Sequence, residues 1–97
     1  MTVISLLDLR IKPELLDSAP EVMHSVLAAT RAREGSLGVE VTVDADDREH
    51  FIVVEKWESM EADDAYREWR STPEGVSDLG SLLAAPPVLT RTVVTDI

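Results

Sequence analysis

The chain has 97 residues and a mass of 10.7 kDa, which suits one domain, residues 1–97, and leaves no room for a second core. Its 9 Lys and Arg against 19 Asp and Glu give a formal charge of −10, which repels phosphate backbones and anionic headgroups and argues against nucleic acid and membrane surfaces as partners. With no cysteine there is no disulfide, no thiolate metal site and no thiol nucleophile, in keeping with a reducing compartment.

The first ten residues lack a basic n-region and a small-residue cleavage site, and Asp8 interrupts their apolar stretch. The expectation is a cytoplasmic protein without a leader. The longest apolar run, Leu82 to Leu89, contains Pro86-Pro87 and is too short to span a bilayer.

Val3 to Ile11 is rich in Val, Ile and Leu and reads as a first strand stopped by Lys12-Pro13. From Leu15 to Arg33 apolar residues recur at three- and four-residue steps, the mark of an amphipathic helix. Pro20 fits only a first turn, so the regular helix begins at Asp17 or Ser18 as N-cap, with Glu14 to Leu16 a separate turn and Gly35 the stop.

Val39, Val41 and Val43 alternate with Gly38, Glu40 and Thr42 in a second strand. The polar cluster Asp44 to Glu49 reads as a solvated hairpin loop. His50 to Trp57 resumes the strand pattern, with Phe51, Val53, Glu55 and Trp57 on one face and Ile52, Val54 and Lys56 on the other. Ser59 caps a second helix whose inward stripe is Ala62, Ala65, Tyr66 and Trp69. Thr72-Pro73-Glu74 carries the cap, proline and acid of a further helix start, with Val76, Leu79, Leu82 and Leu83 facing inward as far as Pro86-Pro87. A last strand follows from Val88 to Val94.

The order βαββαβ, with its second helical layer broken in two, predicts an α+β, ferredoxin-like fold on an antiparallel sheet. Helices then cover one sheet face. The other, with apolar residues expected from all four strands, calls for a second copy of the chain, so a homodimer is predicted.

Three stretches carry a resemblance to a known family: Glu55-Lys56-Trp57-Glu58-Ser59-Met60-Glu61-Ala62, Lys12-Pro13 after the first strand, and Ala29-Thr30-Arg31-Ala32-Arg33-Glu34-Gly35 closing the first helix. They resemble the antibiotic biosynthesis monooxygenase (ABM) family over nearly the whole chain. The resemblance implies a dimeric α/β barrel with a pocket between sheet and helices in each subunit. The family spans cofactor-free quinone-forming monooxygenases, haem-degrading enzymes, isomerases and members of unknown role. Trp57 matches the family's Trp, while Tyr66 stands where a His is usual, and the chain has no Asn at all, which disfavours haem degradation. The quinone-forming pattern has an Asn four residues before the Trp and a Tyr six after it; here those positions are Val53 and Asp63.

Cofactor-free oxygenation needs a substrate that deprotonates to an electron-rich phenolate or carbanion, a water-poor pocket, and a group to take the proton. Trp57 is the candidate wall, the Tyr66 hydroxyl the candidate donor to a developing oxyanion, and His24 the candidate base. The plain alternative for each is structural: a core Trp, a buried Tyr with its hydroxyl at the rim, a helix-surface His. Trp69 reads as core or dimer contact and His50 as a strand-end residue without a duty. Two histidines without HxH or HExxH spacing give no metal signature, and neither a glycine-rich phosphate loop nor a nucleophile elbow occurs. No metal and no cofactor are therefore predicted. Arg10, Arg67, Arg70 and Arg91 are expected in surface ion pairs, with clamping of an anionic substrate as the alternative. The predicted activity is oxidation of an aromatic, polyketide-like or quinol small molecule. The alternatives are an isomerase or cyclase in the same pocket and a non-catalytic small-molecule-binding accessory protein.

Overall fold

Alternation of inward and outward side chains sets four strands in the computed structural model, which describes residues 1–97: β1 (Val3–Arg10), β2 (Ser36–Asp44), β3 (Asp47–Trp57) and β4 (Val88–Val93). They form one antiparallel sheet in the order β2-β3-β1-β4. Val3 lies opposite Trp57, Ser5 opposite Glu55 and Leu7 opposite Val53; Val39 and Val41 lie opposite Glu55 and Val53. Residues paired across an antiparallel ladder share a face, so these side chains make one continuous inner surface.

Two helices cover that surface. Helix α1 (Ala19–Arg31) buries Ala19, Met23, Leu27 and Thr30, the three- and four-residue spacing of one helix face. Pro20 sits in its first turn, and a 3-10 turn over Pro13–Leu15 precedes it, as the proline spacing predicts. The Ser18 hydroxyl donates back to the Leu15 carbonyl and does not cap α1. Helix α2 (Met60–Arg70) is capped by Ser59, whose hydroxyl accepts from the Ala62 N–H at 3.1 Å. Glu61 and Asp63 occupy its first turn and Arg67 and Arg70 its last, the arrangement that the helix dipole favours.

Gly35 joins the two helical layers. Its φ is +87°, and a Cβ there would meet the Ala62 Cβ at 2.4 Å, so both the backbone conformation and the close approach of α2 require glycine. Its carbonyl accepts from the Glu58 N–H at 2.9 Å.

The core falls into two parts. Under α1, Leu9, Ile11, Ala19, Met23, Leu27, Val39, Val53 and Leu82 pack together. Under α2, Val3, Trp57 and Tyr66 form a second cluster, with ring centroids of Trp57 and Tyr66 5.0 Å apart.

Two sequence expectations are corrected. The segment after α2 does not restart as a helix at Thr72; it turns, and only Asp78–Leu82 forms a 3-10 helix. Gly75 lies where a Cβ would be 1.9 Å from the Trp69 carbonyl oxygen, so the chain folds back against the end of α2. Leu82 is buried as expected, but Val76 is 70% exposed. The hairpin is also tighter than the polar cluster implies: β3 begins at Asp47 and pairs with Asp44. The Asp46 N–H donates to the Asp44 carboxylate at 2.9 Å, so a short Asx turn replaces a long loop. The outer sheet face takes apolar side chains from all four strands, as expected. Ile4 and Leu6, Ile52 and Val54, and Val88 share it by register, Leu37 at the β2 bulge lies beside Ile4 and Val54, and the rest of β2 contributes Glu40 and Thr42. The β2 valines point to the helix side, because Val39 and Val41 pair with the inward-facing Glu55 and Val53. No helix is long and apolar enough to cross a membrane.

Candidate functional site: a cleft beside helix α1

Pro20, Met23, His24, Leu27 and Arg31 follow one stripe along α1, at steps of three and four residues. Opposite them stand Val41 of β2 and Phe51 of β3, and the seven residues line a cleft of about 280 Å³. Its walls are mainly hydrophobic. Its two ionisable groups, His24 and Arg31, are seven residues apart on the helix, or roughly 10 Å along its axis. Both side chains are exposed. One terminal nitrogen of Arg31 donates to the Val39 carbonyl at 3.0 Å, fixing the guanidinium at the β2 edge.

Trp57 and Tyr66 occupy a different region, beneath α2, and do not line this cleft. Trp57 is fully buried, and its Nε1 donates to Glu55 Oε1 at 3.2 Å. Tyr66 is 5% exposed. Its hydroxyl lies 2.8 Å from Thr30 Oγ1 and accepts from Arg70 Nε at 2.9 Å. Of the three sequence candidates, the fold thus brings Trp57 and Tyr66 together and places His24 apart from them, in the cleft. Trp69 lies 6.3 Å from the Tyr66 ring and carries the Arg33 guanidinium over its face at 4.3 Å.

Around the aromatic pair lies a polar network that reading the sequence missed. Asp63 is completely buried and Glu55 is 1% exposed. Asp63 Oδ2 accepts from Ser5 Oγ at 3.0 Å and from Arg91 Nε at 2.7 Å; Glu55 Oε1 accepts from Arg67 at 2.5 Å. Arg91 also pairs with Asp64. Arg67 Nε lies 3.0 Å from Asp63 Oδ1, but the N–H does not point at that oxygen, and neither atom has a hydrogen-bond partner. This contact is therefore Coulombic rather than a formed hydrogen bond. Burial pushes the Glu55 carboxyl above the usual carboxylate range, opposed by Arg67 and the Trp57 N–H. The inward direction of Glu55 was legible from its alternation with Val53 and Trp57. Of the arginines expected at the surface, Arg67 and Arg91 reach from partly exposed and exposed positions to neutralise buried carboxylates, and Arg70 joins Tyr66 to Thr30. Arg10, paired with Asp47 at 2.9 Å, and Arg91 with Asp64 make the exposed pairs.

His50 is engaged at both ring nitrogens. Nδ1 lies 2.9 Å from Asp44 and Nε2 lies 2.8 Å from Asp8, so it cross-links β2 and β1 through β3. No group of three or more His, Asp or Glu side chains is placed to hold a metal ion.

Sheet order and helix placement agree with comparisons to known proteins. Residues 2–74 match the family model for antibiotic biosynthesis monooxygenase, and the chain belongs to that family. Among solved structures, a Mycobacterium tuberculosis protein is similar with TM-score 0.79 and 21% identity, covering 100% of this chain and 98% of its own. A conserved protein of Methanosarcina mazei has TM-score 0.80 and 17% identity, covering 95% and 91%. SnoaB, a cofactor-independent oxygenase from Streptomyces nogalater, has TM-score 0.80 and 11% identity, covering 99% and 95%. At these identities the likeness is one of fold. No curated protein sequence matches the chain.

Proposed function

We propose that the protein is a small oxygenase that works without metal, flavin or haem on an aromatic, polyketide-like or quinol substrate held in the α1 cleft. The observation that carries this reading is the position of His24 beside Met23, Leu27, Val41 and Phe51: a proton acceptor set among apolar walls. Family membership and the likeness to an oxygenase described as cofactor-independent support it.

The chemistry needs little from the protein. A ring CH₂ flanked by carbonyl-bearing rings, as in an anthrone, loses a proton to His24 and becomes a delocalised carbanion. The carbanion reduces O₂ by one electron, and recombination of the two radicals forms a C–O–O⁻ peroxide. Protonation and loss of water leave a carbonyl, so CH₂ plus O₂ gives C=O plus H₂O. Apolar walls keep water from the carbanion. His24 is the catalytic residue, while Trp57 and Tyr66 are positioning residues that fix the α1–α2 frame behind the cleft.

The same reading takes the molecule as a homodimer, a second copy covering the outer sheet face at Ile4, Leu6, Ile52 and Val54. An apolar surface at the centre of a sheet is otherwise left to water.

Oxygen consumption by chelator-treated protein on a panel of anthrones and dihydroxynaphthalenes tests the proposal. The expected result is uptake that falls by about 10²-fold or more in His24→Ala, the usual range for losing a general base. No uptake, with conversion of the same compounds to isomers, would place the activity with isomerases or cyclases. Saturable binding without turnover would place the protein with accessory binders.

A further inference from the structure

Arg31 is the one cation that lines the α1 cleft, and its surroundings differ from those of the other paired arginines. Arg10, Arg67 and Arg91 all have carboxylate partners. Arg70 donates to Tyr66, Thr30 and the carbonyls of Val26 and Gly75. Arg31, like Arg33 and Arg48 outside the cleft, has no carboxylate partner in a chain with 19 acidic residues. Its single hydrogen bond, to the Val39 carbonyl, holds one corner of the guanidinium and leaves the remaining N–H donors of the fork unengaged.

A planar guanidinium pinned at one nitrogen is already oriented, so a carboxylate can bind it with less ordering of the side chain. The apolar neighbours shield the cleft side of such a charge-assisted pair, while its outer side stays open to water. The rest of this acidic surface repels anions, so a local cation also sets which end of an anionic substrate enters. Between Arg31 and His24 run two turns of α1 faced by Leu27, Val41 and Phe51, an apolar span suited to a fused aromatic ring system.

We infer that the cleft selects aromatic substrates bearing a carboxylate, which Arg31 grips while the ring system extends toward His24. The inference rests on the reading of this cleft as the substrate pocket, and it makes Arg31 a specificity-determining residue rather than a participant in the oxygen chemistry.

The test is direct binding, independent of turnover. Isotope-labelled protein is titrated with 2-naphthoate and with 2-naphthamide, which share a ring system and differ in charge, and backbone amide shifts are followed. The expected result is naphthoate binding at least about tenfold tighter than naphthamide, the factor that corresponds to about 1.4 kcal/mol. The largest shifts are expected within Met23 to Arg31. Arg31→Gln abolishes the preference, and Arg31→Lys, which keeps the charge without the fork, retains part of it. Equal affinity for acid and amide, saturation by neither, shifts confined to other elements, or a preference that survives in Arg31→Gln would each overturn the inference. The wild-type comparison requires no variant, so it decides the matter even where a substitution impairs folding. Oxygen uptake is scored separately. An acid preference without uptake leaves the inference standing and removes the oxygenase reading, and uptake without an acid preference does the reverse.

Discussion

Arg70 donates from Nε to the Tyr66 hydroxyl at 2.9 Å, and its Nη2 reaches both the Val26 carbonyl at 2.9 Å and Thr30 Oγ1 at 3.0 Å. One side chain at the end of α2 thereby binds two turns of α1 and the phenol between them. Its Nη1 also donates to the Gly75 carbonyl at 3.1 Å, fixing the turn after α2. The expected costs follow. Tyr66→Phe removes one hydroxyl but leaves Thr30 paired with Arg70, so it destabilises by about 1 kcal/mol, the net value of a hydrogen bond. Arg70→Ala strips several acceptors at once and costs about 3 kcal/mol. Urea unfolding of the two variants and of the double variant measures this, with a coupling energy of at least about 0.5 kcal/mol expected. An Arg70→Ala cost no greater than that of Tyr66→Phe would show that the bridge does not hold the two helices.

What the sequence made legible depended on whether a local rule decided it. The α1 stripe followed from three- and four-residue spacing, the placement of Pro20 from its missing N–H, and the inward face of β3 from simple alternation. Glu55 could be seen to point inward, because it alternates with Val53 and Trp57. Its partners could not be read, because Arg67 lies 12 residues away and Asp63 is held by Ser5 and Arg91, 58 and 28 residues distant. Nothing in local spacing separates an arginine that neutralises a buried acid from one that faces water. The helix expected at Thr72 failed for a related reason. Cap, proline and acid favour a helix start there, but Arg70 and the close approach of Gly75 to the Trp69 carbonyl turn the backbone back. For the candidate site, the sequence offered His24 from its chemistry alone, and the cleft that gives it neighbours required Val41 and Phe51 to be brought across from two strands. The same folding step set Trp57 and Tyr66 elsewhere.

His50 gives the molecule a pH response whose sign is fixed by its partners. Both ring nitrogens face carboxylates, Asp44 on β2 and Asp8 on β1, so both serve as N–H donors only when the ring is an imidazolium. The bond to Asp44, then that to Asp8, raises the His50 pKa above 6.5, and the same His50 bond lowers that of Asp44 below 3.8. A histidine with a raised folded-state pKa stabilises the fold fully below its unfolded value, and this contribution is lost as pH rises through the raised one. For Asp44 the contribution is present above the unfolded value and is lost on acidification through the lowered one. Arg10, opposite His50 on β1 and paired with Asp47, is the neighbouring cation. The melting temperature of the wild type is therefore expected to fall between about pH 6 and about pH 8 more than that of His50→Gln, with the difference shrinking in high salt because these groups are near the surface. Parallel profiles for the two proteins would refute the coupling.

The outer sheet face offers the sharpest test of the proposed homodimer. Leu6 lies opposite Val54 on one side and Thr90 on the other, at the middle of the face that neither helix covers. In an isolated chain an aspartate at this position would point into water, as Asp8 already does two residues along the same strand face. In a dimer it would place a charge without a partner at the centre of a buried contact, which strongly disfavours association. Light scattering of the wild type at micromolar concentration is thus expected to give about twice the chain mass of 10.7 kDa. Leu6→Asp should give a mass near that of one chain while its circular dichroism stays native-like. A wild-type mass of one chain would remove the dimer. A two-chain mass retained by Leu6→Asp would move the contact to another surface, and the exposed side chains of edge strand β4, Leu89 and Val93 among them, would then be the place to substitute, since an unpaired strand edge can recruit a second chain through its backbone alone.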